Sequence, residues 1–155
     1  MANQTIFQNA KPEIAEALKP VLADTVLLYT LTQNVHWNVT GPLFQPVHAL
    51  TEEQYTELAA AIDEIAERIR SLGLKAPATL KAFIELGSIE DGDENASAED
   101  MVRSLVHANE AITNTIRPII SKAAEAGDEV TAGLLTDRLT VHEKAVWMLN
   151  AMIGQ

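Results

Sequence analysis

The sequence has no cysteine and few basic side chains. Its 155 residues include 11 Lys+Arg against 22 Asp+Glu, so the formal net charge is 11 − 22 = −11. The absence of cysteine excludes disulfides, iron–sulfur clusters, thiolate metal sites and a cysteine nucleophile. The acidic balance argues against a basic surface for nucleic acid and favours cations as partners.

Long apolar runs and targeting signals are also missing. No uninterrupted apolar run approaches the ~20 residues of a membrane-spanning helix, so no membrane partner is predicted. The first residues contain neither a basic segment nor an apolar one, so no secretory signal is predicted. Apolar residues nevertheless make up 47% of the chain, and its length fits one packed core. We therefore expect a single domain over residues 1–155, with residues 1–12 as a short N-terminal extension.

The spacing of the apolar residues predicts an all-α fold. They recur at intervals of three and four residues, and strand-like alternation is nearly absent. Four long helices are predicted at about 14–39, 46–72, 98–126 and 129–152, with a short helix at about 79–86. Ser97 fits an N-cap and Gly73 fits the position after a helix end. These lengths, and the long link between the middle pair, predict a four-helix bundle with a crossover connection.

One stripe of the second long helix carries candidate metal ligands. At about 100° per residue, His48, Glu52, Asp63 and Glu67 share one side of this helix, about 110° from the centre of its apolar stripe. At ~1.5 Å per residue, His48 and Asp63 lie roughly 22 Å apart along the axis, whereas a metal bond is about 2 Å long. The residues are therefore either two unrelated half-sites or the two halves of a site shared with an antiparallel second copy, across a twofold axis near residues 57–58.

His36 extends this group. It lies near the end of the first long helix, where an antiparallel turn would place it beside His48. Imidazole and carboxylate ligands without thiolate suit Fe(II), Mn(II) or Zn(II). The alternative is that the acids are ordinary solvated surface and that Glu67 simply pairs with Arg70.

Motifs for other chemistries are absent. The chain has no Glu-x-x-His, which a bundle-centred di-iron site would use on two helices, and no Gly-x-x-x-x-Gly-Lys or Gly-x-Ser-x-Gly. His107 and His142 have no clear carboxylate partner in the predicted fold. We interpret both as structural or surface residues.

Several motifs together resemble one family. They are His36-Trp37-Asn38-Val39-Thr40-Gly41-Pro42-Leu43-Phe44, His48, Asp63-Glu64-Ile65-Ala66-Glu67-Arg68-Ile69, Leu72-Gly73 and Lys144-Ala145-Val146-Trp147. This pattern closely resembles the Dps family, the miniferritins, over nearly the whole chain. The resemblance implies a ferritin-like four-helix bundle with a short extra helix between helices two and three, assembled as a hollow homododecamer. It also implies a cytoplasmic location, with association with the nucleoid left open.

The resemblance further implies a function and a site. Family members are ferroxidases that oxidise Fe(II), usually faster with hydrogen peroxide than with dioxygen, and store Fe(III) mineral, which protects against oxidative damage. By resemblance, His36, His48 and Glu52 of one subunit face Asp63 and Glu67 of its neighbour in a ferroxidase centre. Trp37 matches a family tryptophan beside that centre, and Zn(II) or Mn(II) are alternative occupants.

The chain departs from the family pattern in three places. Glu52 stands where the family usually has Asp. DNA-binding members often carry a Lys/Arg-rich tail, but Lys11 is the only basic residue among the first 18, so we expect weak DNA binding or none. The acids that line the family's threefold pores are matched best by Asp128, but Ala132 and Gly133 stand where other members have Asp. Glu125, Glu129 and Asp137 are the candidate substitutes.

Two alternative functions therefore remain. The protein could be a DNA-compacting protein with secondary iron chemistry. It could also be a structural helical cage with a vestigial or zinc-occupied site.

Overall fold

The computed structural model describes residues 2–155, which form five helices and no strand. The helices are α1 (Ala2–Asn38), α2 (Phe44–Ser71), α3 (Leu80–Leu86), α4 (Ala98–Glu125) and α5 (Glu129–Met152). Helix α1 packs against α2, α4 and the short α3, and α4 packs against α5. This arrangement confirms the all-α bundle with a short helix between its second and third long helices. No helix in the described part of the chain is long and apolar enough to cross a membrane.

Local capping explains two of the helix boundaries. The Ser97 hydroxyl accepts a hydrogen bond from the Asp100 backbone N–H at 3.1 Å, which confirms the predicted N-cap of α4. Gly73 follows Leu72, the C-cap residue of α2. Its φ of +105° favours glycine, which confirms the predicted helix end.

The start of α1 differs from the prediction. The helix begins at Ala2 rather than near Ile14, so the segment expected as an extension is helical. Phe7 and Ala10 pack against the apolar core, and the Glu13 carboxylate accepts a hydrogen bond from Lys122 Nζ of α4 at 2.6 Å. These contacts offset the hydrogen bond that Pro12 cannot donate. The assignment of residues 1–155 to one domain stays a prediction.

The interior of the bundle consists of two apolar clusters stacked along its length. One joins the first half of α1 to the C-terminal parts of α2 and α4, and the other joins the second half of α1 to their N-terminal parts. Buried polar side chains lie between the two clusters on α4 and α5, namely Asn109, Arg138 and His142. The bundle therefore has a polar layer near its middle.

Candidate metal centre

His36 and His48 stack on each other at one end of the bundle. His36 lies in the last turn of α1 and His48 in the first turns of α2, and the turn at residues 39–43 folds one helix back on the other. The two ring centroids are 3.8 Å apart and the ring planes are inclined by 13°. The predicted adjacency of the two histidines is therefore confirmed.

Hydrogen bonds fix the orientation of both rings. His36 Nδ1 donates to the His48 carbonyl oxygen at 2.8 Å, and His48 Nδ1 donates to the His36 carbonyl oxygen at 2.7 Å. Because a carbonyl oxygen only accepts, each Nδ1 carries a hydrogen and the lone pair of the neutral ring lies on Nε2. Within residues 2–155, neither Nε2 has a hydrogen-bond partner. Histidines that ligate metals characteristically donate their other ring N–H in this way.

Three neighbouring side chains, which the sequence reasoning missed, hold the histidine rings. The Phe44 ring stacks on His48 with centroids 5.0 Å apart, and the Tyr55 ring meets His36 edge-on at 5.1 Å. The buried Thr51 hydroxyl lies 3.2 Å from His36 Nδ1. A helical wheel could have found them, because all three lie within about 60° of His48 on α2.

The carboxylates of the stripe are exposed and unpaired. Glu52, Asp63 and Glu67 are all exposed, and none of them forms an ion pair within the described residues. Arg70 instead donates to the Leu74 carbonyl oxygen at 2.8 Å, so the alternative pairing with Glu67 is wrong. The three carboxylates are thus available to a cation or to a second chain.

A single chain holds the candidate ligands as separate groups. Within residues 2–155, no three or more His, Asp or Glu side chains converge closely enough to share a metal ion. Between the two ends of the stripe, α2 exposes small side chains, namely Ala49, Thr56, Ala59 and Ala60. Trp37, which follows His36 on α1, is 67% exposed. Small side chains allow another helix to approach α2 closely.

Asp128 has a structural role at the start of α5. It is 2% exposed and caps α5, because its carboxylate accepts hydrogen bonds from the Thr131 backbone N–H at 2.9 Å and from Arg68 Nη2 at 2.7 Å. The Asp128 carboxylate is thus paired within the chain, and its place in an entry pore stays a prediction. Glu125 and Glu129, on either side of the same turn, are exposed.

His142 is a buried structural residue, as interpreted from the sequence, whereas His107 is exposed. His142 Nδ1 donates to Asn109 Oδ1 at 2.9 Å, and Nε2 accepts from Arg138 Nη2 at 3.3 Å. Burial, and secondarily the Arg138 charge, lowers the pKa of His142 from 6.5 to about 3, so the ring is neutral. Arg138 also forms a bidentate ion pair with Glu57 of α2. The spacing of Arg138 and His142 by four residues was the only sequence signal for this network.

Known proteins share this fold over most of the chain. The ferritin-like domain family matches residues 15–155. The "DNA protection during starvation protein 2" of Bacillus anthracis is 38% identical over 143 residues, which cover 92% of this chain and 98% of that protein. The crystal structure of a Dps protein from Bacillus brevis is 38% identical, with a TM-score of 0.89, covering 94% of this chain and 97% of that one.

A further solved structure adds a chemical description. The Dps protein of Vibrio cholerae O1, described as a member of a broad superfamily of ferritin-like diiron-carboxylate proteins, is 33% identical with a TM-score of 0.89. The match covers 94% of this chain and 92% of that one. With the family match and the relative at 38% identity, these similarities show that the chain belongs to the Dps family of ferritin-like proteins.

Proposed function

We propose that this protein is a ferroxidase and iron-storing miniferritin, which oxidises Fe(II), preferably with hydrogen peroxide, and holds Fe(III) mineral in a dodecameric shell. The observation that carries the proposal is the pair of stacked histidines with Nδ1 bound to backbone carbonyls and Nε2 left without a partner. Neutral imidazole beside carboxylate oxygens is a donor set that suits Fe(II). Zn(II) or Mn(II) would compete for the same ligands.

The complete centre forms between two copies of α2 in this proposal. His36, His48 and Glu52 of one copy face Asp63 and Glu67 of an antiparallel second copy, and the twofold axis generates the site twice. The rise of α2 supports this arrangement, since His48 and Asp63 are separated by roughly 22 Å along one helix. The exposed small side chains between the two half-sites leave room for the second helix.

Each group has a distinct task in the proposed reaction. The histidines and carboxylates bind two Fe(II) ions as substrate, and the carboxylates offset the positive charge that rises on oxidation. Each Fe(II) gives up one electron, the two electrons break the O–O bond of one hydrogen peroxide, and two protons complete two water molecules. Because both electrons are used together, no hydroxyl radical is released. Trp37, next to His36, is placed to intercept a stray oxidising equivalent.

Glu52 is the position where the site departs from the family pattern. The side chain keeps the carboxylate and is exposed beside the histidine pair, with one methylene more than Asp. We propose that Glu52 still binds iron.

Iron reaches the interior, in this proposal, past the turn between α4 and α5. Glu125 and Glu129 are exposed there and raise the local concentration of Fe(II), whereas the Asp128 carboxylate is paired within the chain. Glu125→Gln/Glu129→Gln should slow iron uptake at low salt, with Glu64→Gln, which removes an exposed carboxylate of α2 outside this turn, as the control. Uptake that is equally fast in both proteins would exclude this route.

DNA protection follows from iron removal rather than from DNA binding. The net charge of −11 and the single basic residue among the first 18 oppose contact with phosphates. We place the protein in the cytoplasm with no stable attachment to the nucleoid. A gel shift in low-magnesium buffer should show no complex, and sub-micromolar binding would contradict this point.

The test of the proposed function is an anaerobic Fe(II) load followed by a pulse of hydrogen peroxide. The wild type should form soluble Fe(III) rapidly, and Asp63→Asn/Glu67→Gln should form it slowly. Glu64→Gln, which removes a neighbouring exposed carboxylate outside the stripe, is the matched control and should behave as the wild type. Equal, slow oxidation in all three proteins would contradict the ferroxidase proposal and favour a structural cage.

A further inference from the structure

A second carboxylate–imidazole arrangement lies inside the bundle, with a guanidinium between the two groups. Arg138 of α5 is 5% exposed. Its Nη2 lies 3.1 Å from Glu57 Oε2 and 3.3 Å from His142 Nε2, and its Nη1 also binds Glu57. The Arg138 guanidinium is therefore held by a carboxylate of α2 and an imidazole of α5.

The imidazole in this arrangement has the orientation of a metal ligand. His142 Nδ1 donates to Asn109 Oδ1 at 2.9 Å, and Asn109 Nδ2 in turn donates to the Leu105 carbonyl oxygen at 2.8 Å. This chain of hydrogen bonds fixes the hydrogen on Nδ1 and directs the lone pair of Nε2 at Arg138. A carboxylate and a neutral imidazole that face one point are donors of the kind that divalent transition metals prefer.

A cavity leads to the groups around Arg138, of which Glu57 is accessible from outside the bundle and His142 is buried. A cavity of about 330 Å³ between α2 and α5 is bordered by Glu57, Asn109 and His142, with Glu53 and Lys144 also among its lining residues. The Glu57 side chain is 39% exposed. In a chain with a net charge of −11, a divalent cation in this cavity would be attracted to Glu57.

Hydrogen bonding alone does not account for the position of Arg138. Its Nε is buried without a hydrogen-bond partner among the described residues, and an unpaired buried donor destabilises the fold. A neutral side chain of similar length would avoid that cost but would leave the Glu57 carboxylate and His142 Nε2 without their shared partner. The position of Arg138 thus faces a negative charge and a lone pair, which together favour a cation.

We infer that Glu57 and His142 form a latent divalent-metal site and that the Arg138 guanidinium occupies it. By filling this site, Arg138 keeps divalent cations out of the bundle. Metal binding is thereby confined to the outer face of α2. The identity of the excluded ion as Fe(II) rests on the proposed function, whereas the exclusion itself does not.

The test removes the Arg138 charge and measures binding of Co(II) alone to the full chain. All variants carry His36→Gln/His48→Gln, which removes the outer histidines. Arg138→Met should gain about one Co(II) per chain, seen by calorimetry and by the visible absorption of imidazole-bound Co(II). Its affinity should exceed that of Arg138→Met/His142→Gln by at least about tenfold. Arg138→Lys, which keeps the charge, should gain none.

Two results would overturn the inference. One is a folded Arg138→Met protein that binds no more Co(II) than Arg138→Lys. If Arg138→Met does not fold, Arg138→Gln replaces it in this comparison. The other is binding of Co(II) to the protein with Arg138 intact that is lost in His142→Gln. Because the outer histidines are absent throughout, failure of the peroxide-pulse test would leave this comparison unaffected.

Discussion

The histidine pair at the end of the bundle, His36 and His48, and His142 in the polar layer use Nδ1 in the same way and Nε2 in different ways. In all three rings Nδ1 donates to an oxygen, which is a backbone carbonyl for the pair and the Asn109 amide for His142. Nε2 of His142 accepts from Arg138, whereas Nε2 of each histidine of the pair has no partner in the described part of the chain. A fixed ring orientation is therefore not enough to identify a ligand, because the group that faces the second nitrogen decides its role.

The polar layer and the outer face of α2 also differ in whether their charged side chains are paired. In the polar layer of the bundle, the Arg138 charge is paired with Glu57, since an unpaired buried charge is strongly destabilising. On the outer face of α2, Glu52, Asp63 and Glu67 remain exposed and unpaired within residues 2–155. Cations are consequently attracted to the outer face, where the carboxylates are unpaired.

The largest expected effect separates the two kinds of histidine. His36→Gln/His48→Gln should slow iron oxidation by at least about 100-fold, because both ligating nitrogens are lost. His142→Gln should keep the oxidation rate within about threefold of the wild type, since His142 makes no contact with the site. Stopped-flow absorbance of Fe(III) measures both. A similar loss of oxidation rate in the two variants would contradict the different roles assigned to the histidine pair and His142.

The next effect concerns stability. Arg138→Ala should destabilise the fold by about 3 kcal/mol, because it breaks a largely buried ion pair and leaves His142 without its donor. The matched control is Arg117→Ala, which breaks a pair with Glu143 whose two side chains are 57% and 56% exposed, at a cost below about 1 kcal/mol. In thermal unfolding, Tm should fall by roughly 6–12 °C in the first variant and by under about 4 °C in the second. Equal shifts would show that the polar layer contributes no more than a surface pair.

An effect of at most similar size should appear as acid sensitivity. The pKa of His142 is about 3 in the folded chain and 6.5 in its ordinary state, so below pH 6.5 the unfolded chain takes up a proton that the folded chain does not. Stability from this group is complete above pH 6.5 and falls by at most about 1.4 kcal/mol per pH unit down to about pH 3. Tm measured from pH 7 to pH 4 should decline more steeply in the wild type than in His142→Gln. Parallel curves would contradict this assignment.

The smallest expected effect concerns Thr51. Thr51→Val removes a hydroxyl near His36 Nδ1 but leaves the hydrogen bond to the His48 carbonyl, so Fe(II) affinity should fall by less than about tenfold. The Thr51 hydroxyl also donates to a carbonyl oxygen one helical turn earlier, and the exposed Thr30 hydroxyl does the same on α1. Thr30→Val is therefore the matched control and should not change the affinity. Anaerobic titration of the two variants compares them. An unchanged affinity for Thr51→Val would show that the carbonyl alone orients the ring.

Sequence reasoning succeeded where the determinants are local. Helical periodicity placed His48, Glu52, Asp63 and Glu67 on one stripe, and the short turn after α1 placed His36 beside His48. It failed where distant residues decide. The burial of Asp128 depends on Arg68, which is 60 positions away, and Arg138 finds Glu57 across 81 positions.

The early start of α1 has a similar cause. Pro12 disfavours a helix locally, whereas the packing of Phe7 and Ala10 on the core, which favours the helix, cannot be read from the local pattern.

The most direct test of the proposed centre between two chains is complementation between two inactive proteins. His36→Gln/His48→Gln and Asp63→Asn/Glu67→Gln are dissociated, mixed in equal amounts and reassembled, with mixed oligomers verified by native mass spectrometry. If each site takes its histidines from one chain and its acids from another, about a quarter of the wild-type sites are restored, because about half of the pairs are mixed and each mixed pair has one intact site of two. Iron oxidation should recover to that fraction. Mixed oligomers that stay inactive would contradict a centre shared between two chains.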